Sequence, residues 1–368
     1  MLGHAPSGVN ADLLYEVYDV VNFASPSAAQ TELETLLGGD CELVDMVVAG
    51  INANVVTNQF CPISIIPLKS TDTDFGNGTN AAFAALNQSL EVEFLVSCYD
   101  GMSNTLTRAL IAQAALMSGP QRVSNQQFGT MAVAFNRSTL SPGSLTKYDS
   151  QYFVGVWMPD STTSGANAPA YTVGQSAAAA ACAMAGNLAP FNPLDGVVIN
   201  ALNPPYLSSD YVSVGYGLES ETALLAGWTP LQVTQDDTVA FVRTITARLT
   251  LNGEGSTVTS YYDVQDFQVL YYWRKTLYTR FSQPDFSQIK ASVNTAQNLL
   301  AEMIRLAKVF EDQTMFEAVD QLAKQFVVQR DSVDRSRFDV LTPVNVVPGL
   351  HIIATNVVAT TEYDSISI

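Results

Sequence analysis

The chain has 368 residues, of which 47% are hydrophobic and 14% are charged, well below the charged quarter of an ordinary soluble domain. This length predicts two domains with extensions rather than one simple core, and the low charge predicts neutral surface that subunit contacts cover. The net charge of −18 argues against nucleic acid and anionic membranes as partners. Composition alone is equally compatible with an ordinary globular protein rich in Ala, Ser and Thr, rather than a subunit of a larger assembly.

The charges are unevenly distributed along the chain. Residues 1–242 hold five Lys/Arg and 21 Asp/Glu, whereas residues 273–337 hold 10 Lys/Arg and 8 Asp/Glu. The second segment is therefore the part of the chain that is expected to bind an acidic protein partner. A solvated helix face is the alternative explanation, and it is the usual one for such a run of charges.

The first half of the chain alternates predicted helices with predicted strands. An extended segment over residues 13–21 is followed by a helix that Ser25 caps, Pro26 begins and Gly38 ends. Further helices are predicted over 40–52, 80–89, 102–117 and 173–188, and strands over 61–67, 92–97 and within 130–156. Alternation at this spacing predicts an α/β domain over residues 23–205.

From residue 206 the pattern changes. A short helix over 220–226 and a brief strand over 231–233 precede a long strand predicted over 238–251, and a helix is predicted over 259–279. Apolar residues then recur at helical spacing, which predicts two amphipathic helices with core-facing stripes. The stripes are Ile289, Val293, Leu300, Ile304 and Ala307 in the first helix, and Phe316, Val319, Leu322, Ala323 and Phe326 in the second.

The residues from Leu350 onward predict one strand, a polar spacer and a second alternating strand with Tyr363, Ile366 and Ile368 on its apolar side. An isolated terminal strand cannot satisfy its own backbone N–H and C=O groups, so it must add to a sheet. If no edge of its own domain is free, the strand is donated to a neighbour. The sequence therefore predicts a chain that polymerises.

No catalytic, cofactor or metal site is predicted. Of the two histidines, His4 is assigned to a mobile terminus and His351 to a strand, so a Ser-His-Asp arrangement is not expected. Zinc-ligand spacing is absent from the cysteines, Cys41, Cys61, Cys98 and Cys182. The last three are expected to be buried thiols; Cys41 is expected to be exposed, with an intersubunit disulfide as an open alternative. No apolar run reaches the roughly 18 residues of a membrane span.

The order of these elements resembles the contractile tail sheath proteins of bacteriophages and related injection machines. In the second half the matching segments are 224–228 (LLAGW), 239–248 (VAFVRTITAR), 266–274 (DFQVLYYWR), 328–339 (VQRDSVDRSRFD) and 347–353 (VPGLHII). The first half is similar more loosely, through residues 36–46, the strand ending at Asp100 and residues 177–187. The likeness spans residues 25–355 in order, and it is carried by the ordered set rather than by any single motif.

The resemblance implies a structural virion protein and no enzyme or cofactor. Such sheath subunits polymerise as stacked hexameric rings around a tail tube, and contraction drives the tube through the host envelope. The implied partners are further copies of the chain, the tail tube protein, and baseplate and tail terminator proteins, with no nucleic acid and no membrane insertion. The implied location is the phage tail, assembled in the host cytoplasm.

The resemblance also implies an α/β (α+β) subunit of two domains with mixed sheets, flanking helices and extended arms. The expected layout is a short N-terminal arm over 1–22, an outer α/β domain over 23–205, an inner domain over 206–358 and a C-terminal arm over 359–368. Strands 241–251 and 351–358 are expected in the inner sheet. The long leading arm usual in the family is missing, so residues 13–21 form either a shortened arm or a domain strand.

Two sets of functional residues follow from this layout. Strand exchange between subunits is expected through Tyr363, Ile366, Ile368, Leu14 and Val17. The candidate tube-facing residues are Lys290, Arg305 and Lys308, for which i,i+4 pairing on a solvated helix is the alternative.

Two other classes of function stay open. One is another self-assembling virion protein, such as a tail tube or capsid subunit. The helices predicted between residues 259 and 329 count against a tube subunit, which is normally a small β-barrel-like chain. The other is a soluble α/β enzyme of the glycosidase kind, for which the sequence offers no paired acidic residues.

Overall fold

The computed structural model describes residues 1–55, 61–76, 81–86, 91–118, 129–138, 142–159, 171–186, 192–204, 216–249 and 263–349. These residues form two hydrophobic cores. The first, the α/β core, is built from residues 2–264, and the second core is built from residues 269–326. The α/β fold class predicted from the sequence is confirmed.

In the α/β core a three-stranded and a five-stranded sheet are joined by an isolated bridge into one mixed sheet. Its strands are β1 (Leu2–His4), β2 (Tyr18–Asp19), β3 (Ser64–Leu68), β4 (Phe94–Val96), β5 (Met131–Ser138), β6 (Phe153–Pro159), β7 (Trp228–Val233) and β8 (Val239–Phe241). Strand β3 pairs in parallel with β1 and antiparallel with β2; β4 to β7 are parallel neighbours, and β8 is antiparallel to β7. A parallel bridge from Leu2 to Ser97 joins the two groups of strands.

Helices cover this sheet: α1 (Pro26–Leu37), α2 (Glu42–Val55), α3 (Ala81–Leu86), α4 (Asn104–Met117), α5 (Val173–Ala185) and α6 (Tyr216–Leu225). Helices α2 and α5 pack against each other; α2 also contacts β1, and α5 contacts β4 and β5. Small residues allow this close approach, since a Cβ on Gly50 of α2 would lie 2.8 Å from the Sγ of Cys182 on α5. The alanine-rich helix is thus a central packing element.

The N-terminal strand β1 lies inside the sheet. Leu2 is fully buried, and its carbonyl oxygen accepts a 3.0 Å hydrogen bond from the N–H of Cys98. The assignment of His4 to a mobile terminus is wrong, because β1 fills the place between β3 and β4. Residues 13–21 are not one strand either, since a 3-10 turn over Ala11–Leu13 precedes the two-residue strand β2. In this structure β1 and β2 are strands of the domain.

The second core is built on two long helices, α7 (Val264–Phe281) and α9 (Val293–Asp312), with short helices α8 (Pro284–Ser287) and α10 (Val319–Leu322). Two antiparallel strand pairs complete it: β9 (Phe316–Glu317) with β12 (Asn345–Val346), and β10 (Val327–Arg330) with β11 (Phe338–Leu341). Aromatic and sulfur-containing side chains fill its centre, among them Trp273, Met303, Phe310, Met315 and Phe316. None of the described helices has both the length and the apolarity needed to cross a bilayer.

Two of the predicted elements are wrong in this region. The segment 316–326 is not one amphipathic helix, because Ala318 has a φ of 57°, and this left-handed residue separates β9 from α10. The strand predicted over 238–251 is also too long. The regular strand in this segment, β8, ends at Phe241 and pairs with β7, so it belongs to the α/β sheet rather than to an inner sheet. Residues 250–251 and the expected strand 351–358 lie outside the described residues.

Helix α7 belongs to both cores. Its first turns, with Val264 and Phe267, pack on the α/β core, whereas Val269 and Trp273 lie in the second core. Polar contacts reinforce the attachment: Gln268 donates a 3.0 Å hydrogen bond to Glu93, and Lys275 forms a 2.7 Å ion pair with Glu91. Burial raises the pKa of Glu93. One helix therefore couples the two cores.

The contact between β6 and β7 depends on a glycine. A Cβ at Gly155 would lie 2.6 Å from the Cε3 atom of Trp228, which is fully buried. We expect Gly155→Ala to lower the free energy of unfolding by about 1–3 kcal/mol through overpacking, measured by urea unfolding. Gly8→Ala is the control, because a Cβ there meets nothing within 4 Å. Equal stability of the two variants would contradict this packing.

Candidate assembly surfaces

Helix α9 presents one face to the second core and the other to solvent. The helix begins at a capping box in which the N–H of Thr295 donates to Ser292 Oγ at 3.2 Å and the N–H of Ser292 donates to Thr295 Oγ1 at 3.3 Å. Its buried face consists of Thr295, Leu299, Met303, Leu306, Ala307 and Phe310.

An amphipathic helix in this segment is confirmed, but the predicted stripe is not its buried face. Ile289 lies before the helix and is 43% exposed, and Val293 is 73% exposed. Leu300 and Ile304 are partly buried, so Ala307 is the one fully buried member of that stripe.

Two of the three candidate tube-facing cations lie in ion pairs on this helix. Arg305 pairs with Glu302 at 2.8 Å, and Lys308 lies 2.8 Å from both Glu311 and Asp320. Hydrogen bonds to Asp320 and Glu311 raise the pKa of Lys308. The pairs with Glu302 and Glu311 correspond to the alternative of a solvated helix with intrahelical pairs, although their spacing is i,i+3 rather than i,i+4. Asp320 reaches Lys308 from α10.

Glu302 is the centre of a wider ion network. Its carboxylate accepts from Arg305 and, at 2.6 Å, from Arg280 of α7, which also pairs with Asp285 of α8 at 2.8 Å. The Glu302 side chain is only 13% exposed. Hydrogen bonds from Arg305 and then Arg280 lower the pKa of Glu302 to about 2. The network fastens α7, α8 and α9 to one another.

Lys290 differs from the other two cations. It is exposed between α8 and α9, where its carbonyl oxygen accepts a 2.6 Å hydrogen bond from Thr295 Oγ1. Among the described residues no ion pair to its ammonium group is found. Of the three candidates, Lys290 is therefore the one whose charge no described carboxylate offsets.

The hairpin of β10 and β11 stands at the surface of the second core. Its register runs from Val327 opposite Leu341 to Arg330 opposite Phe338. Val327, Val340 and Leu341 are exposed, Leu341 at 61%, whereas Val328 packs against the second core. Within the described part of the chain neither outer edge of the hairpin pairs with a further strand. Such edges leave N–H and C=O groups available to an added strand.

The residues predicted to exchange between subunits divide into two groups. Tyr363, Ile366 and Ile368 lie outside the described residues. Leu14 caps the 3-10 turn and is half-buried, whereas Val17 packs on the α/β core. Neither residue is in a strand.

One polar cluster was not found by sequence reasoning. His4 Nδ1 lies 2.6 Å from Glu42 Oε2 and 3.9 Å from Cys98 Sγ, and His4 Nε2 donates a 3.0 Å hydrogen bond to the carbonyl oxygen of Asp72. The hydrogen bond to Glu42 raises the pKa of His4. His4 is 38 positions from Glu42 and 94 from Cys98, so no local spacing indicates the cluster.

The cysteines are free thiols in the structure. Cys98 and Cys182 are buried, as the sequence predicts. Cys61 and Cys41 are each half-buried. Cys61 is therefore less buried than predicted, and Cys41 is less exposed than predicted.

No protein-family model and no curated protein sequence matches the chain. Solved structures do match. A chain of the anti-feeding prophage baseplate aligns over 98% of this chain and 92% of its own length, with a TM-score of 0.64 and 9% identity. The anti-feeding prophage helical sheath in its contracted state aligns over the same fractions, with a TM-score of 0.59 and 11% identity.

Two crystallised sheath tail proteins align over less of their length. The protein from Listeria innocua matches 73% of this chain with a TM-score of 0.55 and 14% identity. The protein from Desulfitobacterium hafniense matches 78% with a TM-score of 0.50 and 13% identity. The chain spans 56% and 63% of these two proteins.

The fold is that of a contractile tail sheath protein. The resemblance inferred from the order of sequence segments is thereby confirmed at the level of fold. The sheath-like fold includes both cores, because the alignments with the prophage chains extend over 98% of the residues.

The Glu302 network gives a pH-dependent prediction. We expect Glu302→Gln to lower the free energy of unfolding at pH 7 by about 1 kcal/mol, because two guanidinium groups lose their carboxylate. The native pKa is about 2 against an ordinary value of 4.5, so this stabilisation is complete above the ordinary pKa and is lost as pH falls through the native one. Urea unfolding at pH 7, 4 and 3 measures the difference between wild type and variant.

The difference is expected to shrink steadily as the pH falls. Glu16→Gln is the control, because Glu16 is exposed and has no ion pair among the described residues. A Glu302→Gln effect that is constant from pH 7 to pH 3 would contradict the assigned network.

Proposed function

We propose that the chain is the sheath subunit of a contractile tail or related injection machine, and that its copies polymerise as stacked hexameric rings around a tail tube. The observation that carries this proposal is the alignment with the contracted anti-feeding prophage sheath over 98% of this chain. Contraction of the rings drives the tube through the host envelope. An enzymatic role is not proposed, because the matched structures are sheath and baseplate proteins.

The proposal assigns the α/β core to the outside of the sheath and the second core to the side facing the tube. Charge supports this assignment, since residues 1–242 are strongly acidic whereas residues 273–337 have nearly balanced charge. A balanced surface approaches a tube without long-range repulsion. The boundary between the outer and inner parts is placed near residue 263 rather than 206, because β7 and β8 complete the α/β sheet.

Neighbouring subunits are proposed to exchange strands at the hairpin of β10 and β11. The open edges of this hairpin support an acceptor role, and the alternating residues 359–368 supply a donor. Because β1 and β2 are strands of the α/β sheet, the exchange is assigned to Tyr363, Ile366 and Ile368 rather than to Leu14 and Val17. Shared main-chain hydrogen bonds then hold adjacent subunits while their rigid bodies rotate.

A contact of this head-to-tail kind generates a helical filament when its rotation does not close. The proposed partners of the sheath subunit are the tail tube protein, a baseplate protein and a tail terminator protein. Its proposed location is the virion, which is assembled in the host cytoplasm.

Removal of the donor strand tests both the exchange and the sheath role. We expect the chain without residues 361–368 to stay soluble, with unchanged circular dichroism and thermal unfolding, and to form no cylinders in negative-stain electron microscopy. The full chain is expected to form hollow striated cylinders when it is mixed with its tube. Ser365→Thr with Ser367→Thr keeps the strand alternation and serves as the control that still polymerises.

Two outcomes of this experiment have different meanings. Normal cylinders from the truncated chain would contradict strand exchange through the C-terminal residues. Failure of the full chain to form cylinders on its tube, while it remains folded, would contradict the sheath role itself.

The tube-facing surface is tested by charge reversal. We expect Lys290→Glu to weaken tube-dependent assembly, most strongly at low salt, because an exposed charge is screened as ionic strength rises. Lys147→Glu makes the same change on the exposed surface of the α/β core and is the control. Reversal of both Arg305 and Lys308 is expected to lower subunit stability as well, because both residues lie in ion pairs. Equal assembly of the Lys290→Glu and Lys147→Glu variants at low salt would exclude Lys290 from the contact.

A further inference from the structure

Three metal-binding atoms come together in the α/β core. The Nδ1 of His4, a carboxylate oxygen of Glu42 and the Sγ of Cys98 all lie within 4.8 Å of one another. Cys98 is 6% exposed, whereas the side chains of His4 and Glu42 are 24% and 26% exposed. The cluster is therefore closed on its cysteine side and open to solvent on the side of the other two residues.

The sheet topology explains why these residues meet. His4 ends β1, and Cys98 follows β4, which the Leu2–Ser97 bridge places beside β1. The chain leaves β1 toward β3 on one side and later returns to its other side with β4. In α/β sheets the carboxyl ends of strands form a ligand-binding crevice at such a switch point. Glu42 reaches the crevice from the first residue of α2, which packs on β1.

The imidazole of His4 is oriented as in a metal ligand. Its Nε2 donates to the carbonyl oxygen of Asp72 at 3.0 Å, and such a bond to the second ring nitrogen commonly fixes histidines that bind metals. Its Nδ1 lies 2.6 Å from the Glu42 carboxylate. In the neutral imidazole, Nδ1 is an acceptor when Nε2 is the donor, and the carboxylate oxygen is also an acceptor. Two such atoms approach this closely when a proton or a cation lies between them. A metal ion can take the place of that proton.

We propose that His4, Glu42 and Cys98 form a site for zinc(II) or a closely related divalent transition metal. The mixed nitrogen, oxygen and sulfur donors suit zinc, and the thiolate disfavours magnesium and calcium. Zinc bonds of about 2.0–2.3 Å place neighbouring ligand atoms roughly 3.3–3.7 Å apart. The 3.9 Å from His4 Nδ1 to Cys98 Sγ is close to that spacing, and a small outward swing of the partly exposed Glu42 carboxylate completes it.

Three protein ligands leave a fourth position for water. The bound ion ties β1 to α2 and to the end of β4, and so fastens the N-terminal strand into the sheet. This site does not depend on the sheath role, and its test requires only the folded full-length chain.

Cobalt(II) and zinc(II) themselves are the probes. We expect the purified full chain to bind one cobalt per molecule and to show a near-ultraviolet thiolate-to-cobalt charge-transfer band, which Cys98→Ser abolishes. His4→Gln is expected to weaken cobalt binding by at least about 10-fold. Cys41→Ser is the matched control, because Cys41 is a half-buried thiol next to Glu42, and it is expected to leave the band unchanged.

A second measurement uses the unaltered chain, so that it does not rely on folding of the variants. X-ray absorption of the zinc form is expected to show one sulfur at about 2.3 Å with nitrogen and oxygen at about 2.0–2.1 Å, and zinc is expected to raise the thermal unfolding temperature. The proposal would be overturned by no bound cobalt, by loss of the band in Cys41→Ser but not in Cys98→Ser, or by a zinc shell with no sulfur or several sulfurs.

Discussion

Helix α7 must satisfy two hydrophobic cores at once, and the rest of the subunit depends on this requirement. Its first turns complete the α/β core through Val264 and Phe267, and its later turns place Trp273 among the aromatic rings of the second core. Rotation of one core against the other would expose apolar area on one of them, at about 25 cal/mol per Å². The contacts of Gln268 and Lys275 with Glu93 and Glu91 oppose the same motion. Helix α7 therefore restrains the two cores against motion relative to each other.

The sequence predicts a helix or strand well where its apolar residues recur with the period of that element. The helical spacing of apolar residues predicts that α9 is a helix, but it selects the wrong face, since Leu299 and Met303 are buried whereas Val293 is exposed. The i,i+3 partners of Arg305 and Lys308 are visible in the sequence. Strand β1 was missed because three residues carry no period and its partner Ser97 is far along the chain. At Ala318 the sequence predicts a helix that the structure does not have, because a residue with left-handed backbone interrupts an apolar spacing that suits a helix. The cluster around His4 could not be predicted, because the sheet topology alone brings its members together.

The likeness to sheath structures persists at identities of 9–14%. Such divergence is compatible with one fold, because cores tolerate extensive substitution when volume and patterning are kept. The described residues of this chain contain an α/β sheet, a helix shared by two cores and a small hairpin with open edges. The shared helix joins the two cores, and the hairpin leaves backbone N–H and C=O groups at its edges unpaired by any described strand.

A cryo-EM reconstruction of cylinders assembled from the full chain on its tube tests the proposed arrangement most directly. The account predicts six-fold rings in which residues 264–349 lie at small radius against the tube, the α/β core lies at large radius, and a strand from a neighbouring copy extends the hairpin of β10 and β11. A reconstruction with the α/β core against the tube, or with both edges of that hairpin unpaired in the assembled cylinder, would contradict it.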